Sequence, residues 1–347
     1  MSKLGTIDEL PKQYLDDLSQ QDLVPLWPFL RGFLPYGIPE RKTKPAIWHY
    51  DKIRPLLYKA GELTPIEKAE RRVLVLCNPG HKAADALITP TIYVGLQLIK
   101  PGEVAPNHKH TPSAVRLVVE GSGGYTIVRG EKLPMEPGDL ILTPPGLYHE
   151  HGHEGNELVV WMDALDLPLI YGMEASYSTE AEPQNIVNAP DASQTTFRRS
   201  GLLDYNTLNR NRNNYPLLRF PWKATREALI SLSSVKAKGE LVHLAYVNPE
   251  TGEECMPVLG FSAIMLRPGE EISMTKRSSS GVFKIVEGQG QAVIDDSEFN
   301  WEVHDIMAIP THACVKIRNK SSVSPAFLFL VDDAPLQRKI RIYEEFE

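Results

Sequence analysis

One stretch of the sequence occurs twice, and this constrains the fold more than any other feature. The segments PGEVAPNHKHTPSAVRLVVEG (101–121) and PGEEISMTKRSSSGVFKIVEG (268–288) have the same length, begin with Pro-Gly-Glu and end with Val-Glu-Gly. They are related by an offset of 167 residues, and GDLILTPPG is related to HDIMAIPTH by an offset of 166. Internal duplication on this scale indicates two copies of one domain.

Both copies have the pattern of β-structure. Segments rich in β-branched and aromatic residues, such as TIYVGLQLI and NELVVWMDAL, are separated by turn residues at intervals of about 8–12 residues, which favours a β-sandwich or barrel. Apolar residues at helical spacing come first, and a polar stretch lies between the copies. The pattern predicts a mainly β fold. We expect an N-terminal helical segment at 1–87, a first barrel at 88–175, an irregular linker at 176–229 and a second barrel at 230–347.

Composition excludes several classes of protein. The chain has 347 residues, with 37 Lys+Arg against 44 Asp+Glu and a net charge of −7, which argues against a nucleic-acid partner. No stretch approaches the roughly 18 uncharged apolar residues that a membrane span needs, and the N-terminus lacks the apolar region of a signal peptide. The three cysteines are far apart and form no C-x-x-C, so we expect a reducing, cytoplasmic location.

Half of the ten histidines lie between positions 108 and 153. His108 and His110 are two residues apart in an extended segment, so their side chains point to the same face of a strand. His149, His151 and His153 share one face for the same reason. Two such strands in a small barrel would present three imidazoles to one metal ion, although each could instead be an ordinary surface or core histidine. Imidazole suits Zn, Fe, Ni and Cu, so the residues alone leave the metal open.

The spacing around these histidines resembles the two motifs of the cupin family. The first motif is carried by Gly102, His108, His110 and Gly121, and the second by Gly138, Pro144, Gly146 and His149. The resemblance implies a bicupin, that is, two double-stranded β-helix (jelly-roll) barrels. Cupins usually have a glutamate four residues after the second histidine, and this chain has Ala114. Without that carboxylate, a divalent ion would favour an anionic, chelating substrate.

Longer segments are similar to the gentisate 1,2-dioxygenases, a group of ring-cleaving bicupins that includes the salicylate and 1-hydroxy-2-naphthoate dioxygenases. They are ERRVLVLCNPG, HKHTPSAVRLVVEG, MEPGDLILTPPGLYHEHGHEG and WMDALDLPL, and the resemblance extends over about residues 70–345. It implies one Fe(II) per chain, held by His108, His110 and His149. It also implies that O2 opens gentisate (2,5-dihydroxybenzoate) between the carboxyl-bearing and the adjacent hydroxyl-bearing carbons to give maleylpyruvate, and that the chain forms a homotetramer. Salicylate and 1-hydroxy-2-naphthoate remain alternative substrates.

Two arginines are candidates for binding the substrate carboxylate. Arg116 shares the strand parity of His108 and His110, so we expect it in the same cavity, where a buried guanidinium needs an anion. The alternative is an acidic partner on a neighbouring strand. By the resemblance, Arg116 holds the substrate carboxylate, and Arg72 in ERRVL is assigned the same task.

His151 and Asp163 are candidates for the reaction itself. His151 shares the parity of His149 and is the natural acid/base near a bound substrate, unless it only orients a metal ligand. Asp163 lies in an apolar strand, where an unpaired carboxylate is costly to bury. By the resemblance, Asp163 contacts the second ring hydroxyl, which gentisate has and salicylate lacks.

Tyr93, Gly95 and Gln97 lie on one face of TIYVGLQLI. In the family this strand lines the substrate pocket, often with tryptophan at the position of Tyr93. We therefore expect these three residues to contact the substrate.

Two further interpretations compete with the dioxygenase. A metal-dependent isomerase or hydrolase on the same scaffold would not consume O2. A non-catalytic ligand-binding bicupin predicts loss of the metal ligands in both halves, whereas the first half keeps three. In the second half, the ligand positions hold Thr275, Arg277 and Val315, and Phe283 replaces Arg116. We therefore expect no metal in the second barrel.

Overall fold

The computed structural model describes residues 4–346, which form two units. The first unit, described over 4–42, contains a short 3-10 helix (Ile7–Glu9), α1 (Lys12–Gln20) and α2 (Leu30–Phe33), and none of the residues in these helices is buried. No helix within 4–346 is long and apolar enough to cross a membrane.

The second unit, described over 43–346, contains two barrels. Eleven strands form the two sheets of the first barrel, in the orders β12-β8-β5-β10-β3-β2 and β11-β4-β9-β6-β7. They are β2 (Arg72–Val75), β3 (Tyr93–Ile99), β4 (Val104–His110), β5 (Ala114–Glu120), β6 (Gly124–Val128), β7 (Glu131–Met135), β8 (Leu140–Thr143), β9 (His149–His153), β10 (Val159–Leu165), β11 (Ser178–Glu180) and β12 (Arg219–Phe220).

The second barrel has sheets in the orders β1-β20-β17-β22-β14-β13, β15-β21-β18-β19 and β16-β23. Its strands are β1 (Ala46–Trp48), β13 (Val242–Ala245), β14 (Gly260–Leu266), β15 (Glu271–Met274), β16 (Lys276–Arg277), β17 (Gly281–Glu287), β18 (Gly290–Ile294), β19 (Ser297–Trp301), β20 (Ile306–Ile309), β21 (Val315–Asn319), β22 (Ala326–Asp332) and β23 (Glu345–Phe346). The helices of this unit are α3 (Tyr50–Leu63), α4 (Ile66–Ala69), α5 (Leu167–Gly172), α6 (Ala192–Thr196), α7 (Trp222–Ser233) and α8 (Ala334–Lys339), with 3-10 helices at Ala83–Asp85 and Tyr205–Asn209.

The mainly β, two-barrel fold expected from the repeat is confirmed. Strands β3–β10 correspond in order to β14–β22, with β4 split into β15 and β16. Even the turn geometry recurs, because Gly138 (φ 87°) and Gly146 (φ 73°) correspond to His304 (φ 74°) and His312 (φ 56°). A left-handed φ is uncommon for a residue other than glycine. Its retention at two histidines indicates that the barrel, rather than glycine alone, imposes the turn.

Each barrel receives one edge strand from a segment outside it. β1 precedes the first barrel in the chain but pairs with β20 of the second, with Trp48 opposite Ile306. β12 pairs with β8 of the first barrel, with Arg219 opposite Ile141. The helix after each edge strand packs on the other barrel, α3 on β2 and β3 and α7 on β13 and β14. Two reciprocal straps, residues 46–63 and 219–233, therefore fasten the barrels together.

A buried aspartate anchors each strap at the start of its helix. Asp305 accepts a hydrogen bond from the backbone amide of Tyr50 at 2.9 Å. At the equivalent position Asp139 accepts from the backbone amide of Trp222 at 2.8 Å and pairs with Arg219. A carboxylate there satisfies an otherwise unpaired amide at a helix N-terminus. The straps therefore belong to the duplicated architecture.

The segment boundaries differ from the expected ones. We expected the segment 1–87 to be helical and to lead into the first barrel, and β2, which begins at Arg72, does belong to that barrel. The difference is β1, which lies in the same segment but belongs to the second barrel. The stretch 176–229, expected to be irregular, contains β11, β12, α6 and the first part of α7. Strands of two to four residues give too little alternation for periodicity to detect, and their partners are distant in the chain.

The interior of the second barrel is apolar where that of the first is polar. Phe283 and Leu330 occupy the positions of Arg116 and Asp163 and are 0% and 3% exposed, within a cluster of buried aliphatic and aromatic side chains. Val315, at the position of His149, belongs to the same cluster. The duplicated barrel therefore exists in one polar and one apolar version.

A lysine is buried beside this apolar core. Lys284 on β17 is 1% exposed, and its Nζ donates to the carbonyl of Ile285 at 2.7 Å and lies 3.3 Å from Nδ1 of His304. Burial lowers the pKa of Lys284 from 10.5 to about 7. The equivalent residue of the first barrel is Leu117. Lys284→Leu therefore removes the amine and introduces the residue that the same fold has at this position in the first barrel.

Lys284→Leu is expected to change how stability depends on pH. Between about pH 7 and pH 10.5 the unfolded chain binds one proton more at Lys284 than the folded chain, so the wild-type free energy of unfolding rises with pH, by at most about 1.4 kcal/mol per unit. Urea unfolding at pH 7 and pH 9 should show the wild type gaining stability relative to Lys284→Leu. Lys316→Gln, at an exposed lysine of β21, should keep the wild-type slope. Equal slopes for the wild type and Lys284→Leu would contradict this prediction.

Candidate active site and metal centre

Three histidines converge inside the first barrel. His108 and His110 lie on β4 and His149 on β9, where His149 is directly opposite His108. One nitrogen from each imidazole lies within 4.8 Å of those of the other two, and the ring centroids are 4.2 to 5.3 Å apart. Among the described residues, no other group of three His, Cys, Asp or Glu side chains has this geometry.

Backbone carbonyls orient the three rings. The Nδ1 atoms of His108, His110 and His149 lie 3.1, 2.6 and 3.0 Å from the carbonyl oxygens of Pro106, Pro112 and Leu147. An Nδ1–H that donates to a carbonyl leaves the lone pair on Nε2, the usual arrangement of a metal-binding histidine. Nε2 of His149 is buried and has no hydrogen-bond partner. This nitrogen is therefore available to an ion.

Burial keeps the three imidazoles neutral. It lowers the pKa of His108 to about 3, that of His110 to about 4 and that of His149 well below its ordinary value. The neutral form is the one that binds a metal. With Ala114 in place of a carboxylate ligand, three neutral nitrogens leave coordination positions open and the charge of a divalent ion uncompensated. The residues present therefore fit a catalytic metal site rather than a closed structural one.

A buried ion pair crosses the same barrel. Arg116 on β5 and Asp163 on β10 are directly opposite, with Arg116 Nε 3.3 Å from Asp163 Oδ1. Arg116 Nη1 donates to Thr143 Oγ1 at 2.8 Å, and Trp161 Nε1 donates to Asp163 Oδ2 at 3.1 Å. Burial raises the pKa of Asp163, and the guanidinium opposes that rise. The acidic neighbour that the sequence left open as an alternative partner for Arg116 is therefore present.

Several buried polar atoms in this barrel have no hydrogen-bond partner. They are Nε of Arg116, Oδ1 of Asp163, and the Nε2 atoms of Gln97, His149 and His151. The contact between Arg116 and Asp163 is thus an ion pair without hydrogen-bond geometry. Leaving a buried polar group unpaired costs about 1–3 kcal/mol, and native structures avoid it. A set of such donors and acceptors in one barrel indicates that a polar ligand completes it.

His151 lies next to the three converging histidines. Its ring centroid is 5.6 Å from that of His149 and 5.6 Å from that of Trp161. Nδ1 lies 2.9 Å from the hydroxyl of Thr126 on the paired strand β6, which fixes the ring. Burial lowers the pKa of His151 well below its ordinary value. A neutral imidazole with an unpaired Nε2 can accept a proton or a hydrogen bond from a ligand.

The three residues expected on β3 lie along the same wall. Gly95 is opposite Asp163 in the register, and Gln97 is opposite Trp161. A Cβ at Gly95 would lie 2.4 Å from Cγ1 of Val73 and 2.8 Å from the hydroxyl of Tyr93, so no side chain fits there without movement. Tyr93 is partly buried, and burial raises the pKa of its hydroxyl. Side by side on the neighbouring strands β5, β10 and β3, one row of residues therefore consists of a cation, a carboxylate and a glycine.

The structure places Arg71, and not Arg72, at this site. In the pairing of β2 with β3, Val73 is opposite Gln97, on the face of the sheet that lines the barrel interior. Arg72 is opposite the core residue Leu98, on the other face of the sheet, and therefore points away from the barrel interior. Arg72 is instead buried in an ion pair with Glu103. Arg71 Nη2 donates to the carbonyl of Pro106 at 3.4 Å, and its guanidinium lies against the imidazole of His108. The assignment of Arg72 to the substrate was therefore wrong in direction, because strand alternation turns the side chain outward.

Four supporting residues were missed from the sequence. They are Arg71, Thr126, Thr143 and Trp161. The only sequence signal for Arg71 was that it lies two residues before Val73 and would share its face of a strand. That signal could be used only when the bounds of β2 were known. Thr126 and Thr143 contact residues 25 and 27 positions away in the chain, and Trp161 acts through its indole N–H. Spacing alone does not reveal such contacts.

Known proteins share both the sequence and the fold of this chain. The family model described as Cupin domain matches residues 95–165. The chain is 50% identical to the gentisate 1,2-dioxygenase of Ralstonia sp, over 99% of this chain and 96% of the relative. It is 33% identical to the 5-aminosalicylate 1,2-dioxygenase of Comamonas sp, over 95% and 88% of the two chains. A crystal structure of salicylate 1,2-dioxygenase from Pseudoaminobacter salicylatoxidans with gentisate adducts matches 100% of this chain and 95% of its own, with 28% identity and a TM-score of 0.90.

Proposed function

Because the chain belongs to the gentisate 1,2-dioxygenase family of ring-cleaving cupin enzymes, we propose that it opens gentisate with O2, between the carboxyl-bearing and the adjacent hydroxyl-bearing carbons, to give maleylpyruvate. The observation that carries this proposal is the convergence of three neutral histidines beside unpaired buried polar atoms. Both atoms of O2 enter the product, so no external reductant is needed.

The metal we propose is Fe(II), one per chain, held by Nε2 of His108, His110 and His149. When bound, Fe(II) supplies the one-electron chemistry that allows O2 to react with an aromatic ring. The histidines contribute no charge, so a substrate that brings a carboxylate and an ionisable ortho-hydroxyl would balance the site. Bidentate hydroxybenzoates have this chemistry.

The arginines and Asp163 would orient the ring. Arg116 offers an unpaired Nε to the substrate carboxylate, and Thr143 holds the other end of its guanidinium. Asp163 offers Oδ1 to a hydroxyl at ring position 5, while Trp161 holds Oδ2. The carboxyl and the 5-hydroxyl, which is meta to the carboxyl and para to the 2-hydroxyl, would thus be held by two groups on adjacent strands. Tyr93, Gly95 and Gln97 would form the wall against which the ring lies.

His151 would handle the proton. A bound hydroxybenzoate would give up the proton of its ortho-hydroxyl. Apart from the three proposed ligands, the unpaired Nε2 of His151 is the neutral imidazole nitrogen beside His149, with the two ring centroids 5.6 Å apart. The Thr126 contact at Nδ1 holds the ring in place for this transfer. The burial of these side chains inside the barrel would exclude water from the reacting ring.

A second candidate substrate is a salicylate with an amino group at position 5. Oδ1 of Asp163 accepts a hydrogen bond from either an amine or a hydroxyl, and the Comamonas relative is a 5-aminosalicylate 1,2-dioxygenase. Oxygen uptake with gentisate, 5-aminosalicylate and salicylate would rank the three.

The test of function is anaerobic reconstitution with Fe(II) followed by an oxygen-electrode assay with gentisate. We expect stoichiometric O2 uptake and the ultraviolet absorbance of maleylpyruvate. Uptake with none of the three hydroxybenzoates, or turnover of a substrate without O2, would favour an isomerase or hydrolase. The same family argument supports a cytoplasmic homotetramer, which sedimentation of the purified protein would test.

Arg71→Met should raise KM for gentisate, whereas Arg72→Met should not. A hydrogen bond to a charged group contributes about 1.5–3 kcal/mol, or on the order of tenfold to a hundredfold in KM. Arg72→Met, the matched control one residue away, leaves Glu103 without its buried partner and should lower stability instead. Steady-state kinetics and urea unfolding of both variants provide the measurement. A larger KM change in Arg72→Met than in Arg71→Met would return Arg72 to the substrate site.

A further inference from the structure

The second barrel keeps polar side chains at its open end, although its interior is apolar. Ser262 and Arg277 occupy the positions of Gly95 and His110 of the first barrel. His243 on β13 lies beside them, with Nε2 2.7 Å from Ser262 Oγ. Burial lowers the pKa of His243 to about 4, so the imidazole is neutral. A polar cluster therefore replaces the metal-binding one at the equivalent end of the barrel.

These residues line two cavities that share Arg277 and Asp332 in their walls. The larger has a volume of about 370 Å³ and is also lined by His243 and Ser262, with apolar walls from Ala245, Val247 and Phe261. The smaller, of about 40 Å³, reaches Val315 and Leu330 in the barrel interior. The space is thus half polar and half apolar, as in sites for small organic ligands.

Arg277 has a donor that no other residue within 4–346 uses. Its Nε is buried and has no hydrogen-bond partner among the described residues. The nearest carboxylate is that of Glu345, 3.8 Å from Nε and on a side chain that is 54% exposed. Asp332 uses Oδ1 to accept from the backbone amide of Ala334 at 3.0 Å, and no ion pair of residues 4–346 joins it to Arg277. An unpaired buried donor on a cation is costly unless an anion reaches it.

We propose that this cavity binds a small monocarboxylate, with the guanidinium of Arg277 holding the carboxylate and the apolar wall holding its hydrocarbon part. The planar fork of arginine matches a carboxylate. A doubly charged anion such as phosphate would face the carboxyl groups of Glu253, Glu254 and Asp332 in the cavity wall and that of Glu345 beside Arg277, and a single negative charge is repelled less. The site is separate from the first barrel and does not depend on the function proposed for it.

The probe is 4-fluorobenzoate, followed by fluorine NMR line broadening with the full-length, Fe(II)-loaded protein under nitrogen. We expect Arg277→Gln to weaken one component of binding by about tenfold or more, while Arg318→Gln, an exposed arginine on β21, binds as the wild type. Arg116→Gln identifies binding in the first barrel. Broadening that this variant removes comes from the first barrel, and the component that depends on Arg277 should remain.

Two further measurements keep the proposal open to refutation. Ser262→Val replaces the hydroxyl of the cavity wall with apolar methyl groups but keeps Arg277, and it should lose the same component even if Arg277→Gln folds poorly. The neutral analogue 4-fluorobenzamide should not show that component. Wild-type broadening in both Arg277→Gln and Ser262→Val would overturn the site. Equal broadening by the amide and the acid would overturn the assignment to a carboxylate.

Discussion

His149→Ala is expected to abolish O2 uptake with gentisate and to lower the iron content of the protein. His149 is the most enclosed of the three histidines, at 0% exposure, and its unpaired Nε2 has no other partner in the described chain. Removing one of three ligands leaves two nitrogens, too few to hold a divalent ion in a three-ligand catalytic site. The measurements are elemental analysis after anaerobic Fe(II) loading, with about one iron per chain expected for the wild type, and an oxygen electrode.

The duplicated barrel provides a matched control for this substitution. Val315 stands at the position of His149 in the second barrel, and Val315→Ala should leave both iron content and turnover unchanged. His108→Ala and His110→Ala should behave as His149→Ala. Normal iron and normal turnover in any one of these three variants would remove that residue from the ligand set. An iron content near two in the wild type that survives all three substitutions would show a metal outside the first barrel.

Asp163→Ala is expected to lower kcat/KM for gentisate more than for salicylate, by on the order of tenfold to a hundredfold. Only gentisate presents a second hydroxyl to Oδ1 of Asp163. The same substitution leaves Arg116 buried without its partner, and breaking a buried ion pair costs about 3–5 kcal/mol of stability. Kinetics with both substrates and urea unfolding separate the two effects. Equal losses on gentisate and salicylate would show that Asp163 acts on stability and positioning alone.

The second barrel again suggests the control. Phe283 and Leu330 replace Arg116 and Asp163 there and pack in an apolar core. Arg116→Phe combined with Asp163→Leu should therefore be more stable than Asp163→Ala, because replacing both members of a buried ion pair by apolar residues is often neutral or stabilising. It should also be inactive. A double variant less stable than Asp163→Ala would mean that the first barrel does not tolerate the apolar pair that the second barrel has at these two positions.

The three converging histidines and the duplicated fold followed from the sequence because they rest on local rules. His108 and His110 share a face since side chains alternate along a strand, whatever the strand pairs with. The duplication could be seen directly in the repeated sequence segments. The corresponding turns at Gly138 and His304 have the same left-handed backbone. Asp163 and Gln97 were predicted to point inward for the same reason, and the register of β10 with β3 is consistent with that prediction.

Only the tertiary structure decided which side chains meet. Arg71 and Arg72 are adjacent, and the one that enters the barrel depends on where β2 begins and on its pairing with β3. Arg116 and Asp163 are distant in the chain, and their contact arises because β5 and β10 are neighbours in the sheet. The straps exchange strands between barrels through segments too short to show periodicity. Side chains alternate along any strand, so their faces can be predicted from the sequence. The register and the partner of a strand depend on long-range packing, because hydrophobic burial stabilises the sheet as a whole and not each strand separately.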